Sequence, residues 1–266
     1  MAPRISSIDI NGGKMDYFSF GSGETPFVML PGIYTKPMVT LAGLVECAYQ
    51  MFSERFTVFV PDRCAPIPDG YTIDDLADDT IGLLDSLGIT NACVFGVSMG
   101  GMTAQTIAVK RPDLVQRLVL ASTASRIGSE AAEQFKAFLE LAASGDIKAM
   151  CTEFAKAVYT PSFFERFKNP ILRSFDGSTC EDIDRFAALT RGILKFDIHG
   201  KLGSIHCPAL VIAGSEDAVF STRYSEDIAE KTGAELCIYE GYGHAVYDEA
   251  PDIKDKLFEF FTKATV

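Results

Sequence analysis

Hydrophobic positions along this chain fall into short, dense runs separated by longer stretches of mixed polarity. Residues 27–30 read Phe-Val-Met-Leu, apolar on both alternations, the pattern of a strand buried on both faces of a sheet. Runs of the same kind occupy residues 57–60, 92–95, 118–121 and 209–213, and a further strand is expected at 235–239. Residues 6–10 and 15–20 predict two more strands, joined through Asn11-Gly12-Gly13, a sequence suited to a hairpin turn. Between the runs lie helical patterns at 37–52, 73–87, 99–110, 221–231 and 252–263. Thr72 with Asp75 three residues later predicts a capped helix start, and Gly88 its end. Pro112 stops the next helix, and Gly233 stands near the end of the one after it. Such alternation predicts an α/β fold with a mostly parallel sheet covered on both faces.

One segment breaks the alternation. Residues 125–201 look purely helical, far longer than the few residues that normally connect neighbouring elements. Phenylalanines dominate its apolar positions: Phe135, Phe138, Phe154, Phe163, Phe164, Phe167, Phe175, Phe186 and Phe196. The expected organisation is a core made of residues 1–124 and 202–266, with a helical cap, residues 125–201, inserted after the sixth core strand. Most of the rings should pack the cap, and a few should line a pocket.

Composition narrows the classes. At 266 residues with 47% hydrophobic and 23% charged positions, the chain is sized for one large globular core. No apolar run reaches the roughly 20 residues of a membrane span, and the first residues lack the apolar core of a secretory signal. Seven cysteines without a CxxC pair read as reduced, mostly buried thiols of a cytoplasmic protein. Lys and Arg number 24 against 36 Asp and Glu, a net charge of −12. That charge, with no compensating basic stripe, argues against nucleic-acid binding. Three scattered histidines, His199, His206 and His244, argue against a structural zinc site.

The chemistry centres on Gly96-Val97-Ser98-Met99-Gly100, a G-x-S-x-G motif placed between an expected strand and an expected helix. There the serine occupies a tight turn with no room for side chains two residues away on either side. A serine hydroxyl needs a base, and the base an orienting carboxylate. His244, in a turn beyond strand 235–239, and Asp217, just beyond strand 209–213, both fall at the carboxyl edge of the sheet, as Ser98 does. His206 precedes its strand and lies at the opposite edge, and His199 falls at the cap boundary. Oxyanion stabilisation needs two N–H donors. Met99 supplies one at a helix start, and Ile33, in the loop Pro31-Gly32-Ile33-Tyr34, is the candidate for the other. Tyr34 is expected to form an aromatic wall, with Val97 and Phe220 as further substrate-contacting candidates.

Taken together, Gly23–Gly32, Pro61-Asp62-Arg63, the segment from Tyr71 to Asp79, Gly96–Gly100, Gly214–Asp217 and Gly243-His244 with Glu249 and Pro251 resemble the α/β-hydrolase superfamily, in its capped esterase and lactonase form. The resemblance spans nearly the whole chain. Two departures stand out. Pro31-Gly32 replaces the family's usual His-Gly, removing an imidazole that supports the oxyanion loop. Cys64-Ala65-Pro66-Ile67-Pro68 follows Asp62-Arg63 where the family has glycines and a serine, which predicts a stiffer loop, with Cys64 as a packing residue.

The resemblance implies a serine hydrolase acting on a small, apolar ester, lactone or thioester through an acyl-enzyme on Ser98, with Asp217 and His244 completing the triad. The same constellation serves C–C bond hydrolysis and acyl transfer, and slow-turnover ligand sensors have been built on the scaffold. No metal or organic cofactor is implied. The expected partner is a small-molecule substrate, and the expected assembly a monomer or homodimer.

Overall fold

In the computed structural model, which describes residues 2–264, eight strands form one sheet. In chain order the strands are β1 (Arg4–Ile10), β2 (Gly13–Gly21), β3 (Thr25–Leu30), β4 (Phe56–Ala65), β5 (Ala92–Val97), β6 (Val115–Ala121), β7 (Ala209–Gly214) and β8 (Glu235–Tyr239). The helices are α1 (Ala42–Ala48), α2 (Ile73–Ser86), α3 (Met99–Lys110), α4 (Ser129–Ala143), α5 (Ile147–Val158), α6 (Pro161–Arg173), α7 (Cys180–Ile193), α8 (Thr222–Thr232), α9 (Val246–Glu249) and α10 (Ile253–Thr262). Residues 1, 265 and 266 of the expected core lie outside the described residues.

Strand order is β1-β2-β4-β3-β5-β6-β7-β8. The first hairpin and the β2–β4 pair are antiparallel, and every other pairing is parallel. Strands β5 and β7 are buried at every position, whereas β8, at the sheet edge, exposes Leu236. Register decides the site. Leu30 pairs with Gly96, Val97 with Ala121, Ala121 with Ile212, and Gly214 with Tyr239. The carboxyl ends of β3, β5, β7 and β8 therefore stop along one edge.

Helices cover both faces. Thr72 caps α2 through the expected box, its hydroxyl accepting from Asp75 N–H while its own N–H donates to the Asp75 carboxylate. Helix α3 is buried from Met99 to Ala108, apolar or small on all sides except at Gln105, whose amide donates to the Gly101 and Ala124 carbonyls, because it is enclosed by the sheet and α2. On the opposite face Phe27 meets Phe52, Phe56 and Phe261 at centroid distances of 5.1–5.9 Å. Full burial of one such ring contributes about 2–3 kcal/mol. Among the described residues no helix is long and apolar enough to cross a membrane.

Three expectations need correction. The pattern at 37–52 is not one helix. It breaks into a 3₁₀ turn (Met38–Leu41), α1, and a second 3₁₀ turn (Gln50–Phe52). Gly43 and the β-branched Val39 and Thr40 disfavour a continuous helix, and no side chain caps α1. The segment at 125–201 is not purely helical either. Helices α4–α7 carry most of it, but Arg126 and Asp197 form an antiparallel bridge at its base, flanked by Ile198 N–H to Ser125 O (2.8 Å) and Ile127 N–H to Phe196 O (3.3 Å). Two chain segments passing at one point satisfy each other's backbone groups there. The cysteines are all free, but only Cys64, Cys93 and Cys151 are buried, since Cys47 and Cys180 sit on exposed helix positions and Cys207 and Cys237 are half-buried.

Candidate active site

Ser98 occupies the turn between β5 and α3 with φ +51° and ψ −117°, a left-handed conformation that a non-glycine residue holds only under structural constraint. The constraint is visible. Ser98 N–H donates to Ala121 O at 2.9 Å, and Ser98 O accepts from the Gly101 and Met102 N–H groups and from the Thr123 hydroxyl. Gly96 and Gly100 permit this packing, because a Cβ at Gly96 would stand 2.5 Å from Gly100 O and one at Gly100 1.9 Å from Leu30 O.

Asp217 and His244 meet at the same edge. His244 Nδ1 lies 3.0 Å from Asp217 Oδ1 and 2.9 Å from Oδ2. The carboxylate also accepts the Val219 and Phe220 N–H groups, each at 2.8 Å. Asp217 is thus a turn residue that caps its own backbone and a partner of His244 at once. Both side chains are buried, so the pairing is shielded from competing water. The other Ser/His/Asp set, Ser125, His199 and Asp227, differs in kind. Its serine (3.2 Å) and its carboxylate (2.8 Å) both meet the same ring nitrogen, Nδ1 of His199, leaving no imidazole nitrogen between them to relay a proton. His206 is exposed.

Ser98 and His244 open on one cavity of about 370 Å³, within the usual range for small-molecule sites. Ile33, Tyr34 and Val97 line it as well. Phe220 does not. Its ring lies behind His244 at 5.7 Å and against Phe135 at 5.8 Å, while Val219 faces the cavity, because the turn closed by Asp217 sends successive side chains to opposite sides. Of the insertion's phenylalanines, Phe135, Phe138, Phe154 and Phe175 form cavity wall. Phe163 instead stacks between Tyr159 and Phe167. Helix α6 kinks at Phe167, three residues before Pro170, which cannot donate into the helical ladder.

The Tyr34 hydroxyl donates to Ser174 Oγ at 2.8 Å, and burial pushes it up to about 12, so it stays protonated. Cys64 is a buried packing residue whose thiol burial likewise pushes up to about 12. Three neighbours of the site were given no role by the sequence, and one of them, Asp248, was not singled out in it at all. Asp248, four residues beyond His244, lines the cavity and accepts from the Tyr159 hydroxyl at 3.1 Å. Desolvation raises its carboxyl from the ordinary aspartate value, against the lowering effects of Tyr159 and Lys254. Glu249 takes both the N–H and the hydroxyl of Thr160 at 2.8 Å. Arg63, buried with Asp62, donates one guanidinium nitrogen to the carbonyls of Pro31 (2.9 Å) and Gly32 (2.5 Å). Only the Glu249 and Asp62-Arg63 motifs were visible in the chain, and nothing in them named these partners.

A family model described as alpha/beta hydrolase fold matches residues 25–251. The chain is 27% identical over 221 residues to 3-oxoadipate enol-lactonase 2 of Acinetobacter baylyi, covering 81% of this chain and 80% of that protein. Among solved structures, the enol-lactonase from Burkholderia xenovorans LB400 is 25% identical with a TM-score of 0.83, covering 97% of this chain and all of its own. An N-acyl homoserine lactone degrading enzyme is 26% identical with a TM-score of 0.77, again covering 97% of this chain and all of its own.

Proposed function

The chain belongs to the alpha/beta hydrolase fold family, and from that membership we propose that it is a serine hydrolase that cleaves a small, neutral, largely apolar ester, lactone or thioester. One observation carries the reading. Ser98 and His244 open on the same apolar cavity while Asp217 holds the far side of the imidazole. The relatives support the reaction class, since those named above act on lactones.

The Ser98 oxygen attacks the substrate carbonyl as His244 Nε2 takes its proton. Asp217 fixes the tautomer with Nδ1–H toward its carboxylate and stabilises the imidazolium that forms. The Met99 and Ile33 N–H groups receive the oxyanion, each such donor being worth about 10²–10³ in kcat. His244 then returns the proton to the leaving oxygen, or sulfur, and activates the water that frees the acid.

Helices α4–α7 act in this reading as a cap over the reaction. Their phenylalanines, with Met29, Val60 and Phe95 from the sheet, favour an apolar acyl or alcohol group. No Lys or Arg is among the described residues lining the cavity, and Asp248 stands in its wall, so a substrate carboxylate would meet repulsion there. The test is a fluorophosphonate probe followed by peptide mass spectrometry, with Ser98→Ala and His244→Ala in parallel. One equivalent bound to Ser98, and lost in both variants, is the expected result. A well-folded protein that takes no label refutes the assignment.

A further inference from the structure

The loop that follows β3 begins Pro31-Gly32, where the resemblance drawn above implies His-Gly, and groups from outside the loop hold it. From Pro31 to Tyr34 it belongs to no helix or strand, yet Gly32 lies directly against the nucleophile, where an added Cβ would stand 3.3 Å from Ser98 Cβ. Two guanidinium groups reach its backbone. Arg63, from β4, donates Nη2 to Pro31 O and Gly32 O, and Arg185, from α7, donates Nη2 to Thr35 O at 2.6 Å. Between them sits the buried carboxylate of Asp62, 3.6 Å from Arg185 Nη1 and 3.9 Å from Arg63 Nη1. It also accepts the Arg63 N–H at 2.9 Å and the Val39 N–H at 3.3 Å.

We propose that Arg63 is the positioning residue of the oxyanion site, holding the Gly32–Ile33 peptide so that the Ile33 N–H faces the carbonyl oxygen of the substrate. In a planar trans peptide the carbonyl oxygen of residue i and the N–H of residue i+1 point in opposite directions. Drawing Gly32 O toward Arg63 therefore turns the Ile33 N–H away from Arg63, and Ile33 lines the cavity beside Ser98. A cation on the oxygen also polarises that peptide, which strengthens its N–H as a donor to a developing negative charge. Arg63 touches neither substrate nor Ser98 in this assignment and acts only through the peptide. Arg185 contributes a second tie from α7, so the loop is gripped from the sheet and from the helical insertion together. The assignment rests on the serine-hydrolase reading above.

The experiment compares wild type, Arg63→Met and Arg63→Lys with p-nitrophenyl esters and with a matched pair of inhibitors, an alkyl trifluoromethyl ketone and its secondary alcohol. The ketone accepts Ser98 Oγ at its carbonyl carbon, the serine proton passes to His244, and the ketone oxygen becomes an alkoxide. The alcohol fills the same space without forming that oxyanion. Arg63→Met should lower kcat about 100-fold with KM within about threefold, the scale of losing one oxyanion donor. Ketone affinity should fall by the same factor and alcohol affinity should stay. Arg63→Lys, which keeps the charge but not the fork, should fall between, and it decides the matter if Arg63→Met does not fold. A folded variant with wild-type kcat overturns the assignment. So does an equal loss of ketone and alcohol affinity, the mark of a general structural role. If wild type itself neither hydrolyses the esters nor prefers the ketone, the serine-hydrolase reading has failed and this assignment with it.

Discussion

Glu249 and Thr160 form a two-point clasp across 89 positions of sequence. The Thr160 N–H reaches Glu249 Oε1 and the Thr160 hydroxyl reaches Oε2, both at 2.8 Å. Thr160 opens α6, and Glu249 ends α9, the short helix that follows His244. Two further bonds join the same segments, Ala245 N–H to Val158 O at 2.9 Å and the Tyr159 hydroxyl to Asp248 at 3.1 Å. The loop bearing His244 is thereby stitched to the turn between α5 and α6 by four hydrogen bonds.

Removing the clasp should therefore cost both stability and rate. Glu249→Ala leaves two donors without their charged acceptor, an expected loss of about 2–3 kcal/mol. Urea denaturation monitored by circular dichroism measures it, and a loss under 0.5 kcal/mol would show that water replaces the carboxylate. The accompanying effect on ester hydrolysis should fall on kcat, since His244 sits next to the anchored segment.

Ser98 holds its backbone in a strained conformation for the sake of its side-chain position. Glycine adopts that conformation without strain, so Ser98→Gly should be about 1 kcal/mol more stable than Ser98→Ala, which keeps the strain and loses the hydroxyl. Both should be inactive. Equal midpoints for the two variants would mean that the turn relaxes without a glycine.

Asp248 supplies a pH-dependent effect whose sign follows from its raised carboxyl. A folded-state value above the unfolded one means that the folded protein binds the proton more tightly. Stability is then lost as pH rises from the ordinary aspartate value through the higher folded one. Asp248→Asn cannot ionise, so its Tm should exceed that of wild type at pH 8, with the gain vanishing below the ordinary carboxylate range. A gain that grows on acidification would reverse the assignment.

Tyr34 contributes a ring rather than a proton. Its hydroxyl is engaged by Ser174 and stays protonated, and its ring meets Phe175 at 5.1 Å. Tyr34→Phe should keep kcat/KM within about threefold and lower stability by about 1 kcal/mol, the usual net worth of one neutral hydrogen bond. A tenfold fall in kcat would instead place the hydroxyl in the chemistry.

Cavity size sets a further expectation. With apolar walls enclosing about 370 Å³, each added acyl methylene should raise kcat/KM about fourfold, from roughly 0.8 kcal/mol per buried CH₂, until the space is filled. A p-nitrophenyl acetate-to-decanoate series reads this directly. A flat series would mean that the acyl group lies outside the cavity.

Much of this molecule was legible in one dimension, and the reason is local. The apolar runs that became β3, β5, β6 and β7 carry their own code, because a strand buried on both faces has no polar alternation to hide it. The bounds of α3 follow from the serine turn before it and Pro112 after it. The order Ser98, Asp217, His244, each just past a strand, placed all three at one sheet edge, and the Asp217–His244 pair is present in the fold.

What the chain order could not contain are contacts between segments that meet only after folding. Whether Val219 or Phe220 faced the cavity turned on a single N–H-capped turn. Which phenylalanines of the insertion formed wall and which formed packing depended on how four helices settled on the sheet. Pro31-Gly32 was readable, but the guanidinium that reaches their carbonyls from β4 was not. Periodicity and motifs report how a residue relates to its neighbours in sequence. The ties on the loop after β3, the clasp at Glu249 and the carboxyl at Asp248 depend on distances between residues far apart in the chain, and those distances belong to the tertiary structure alone.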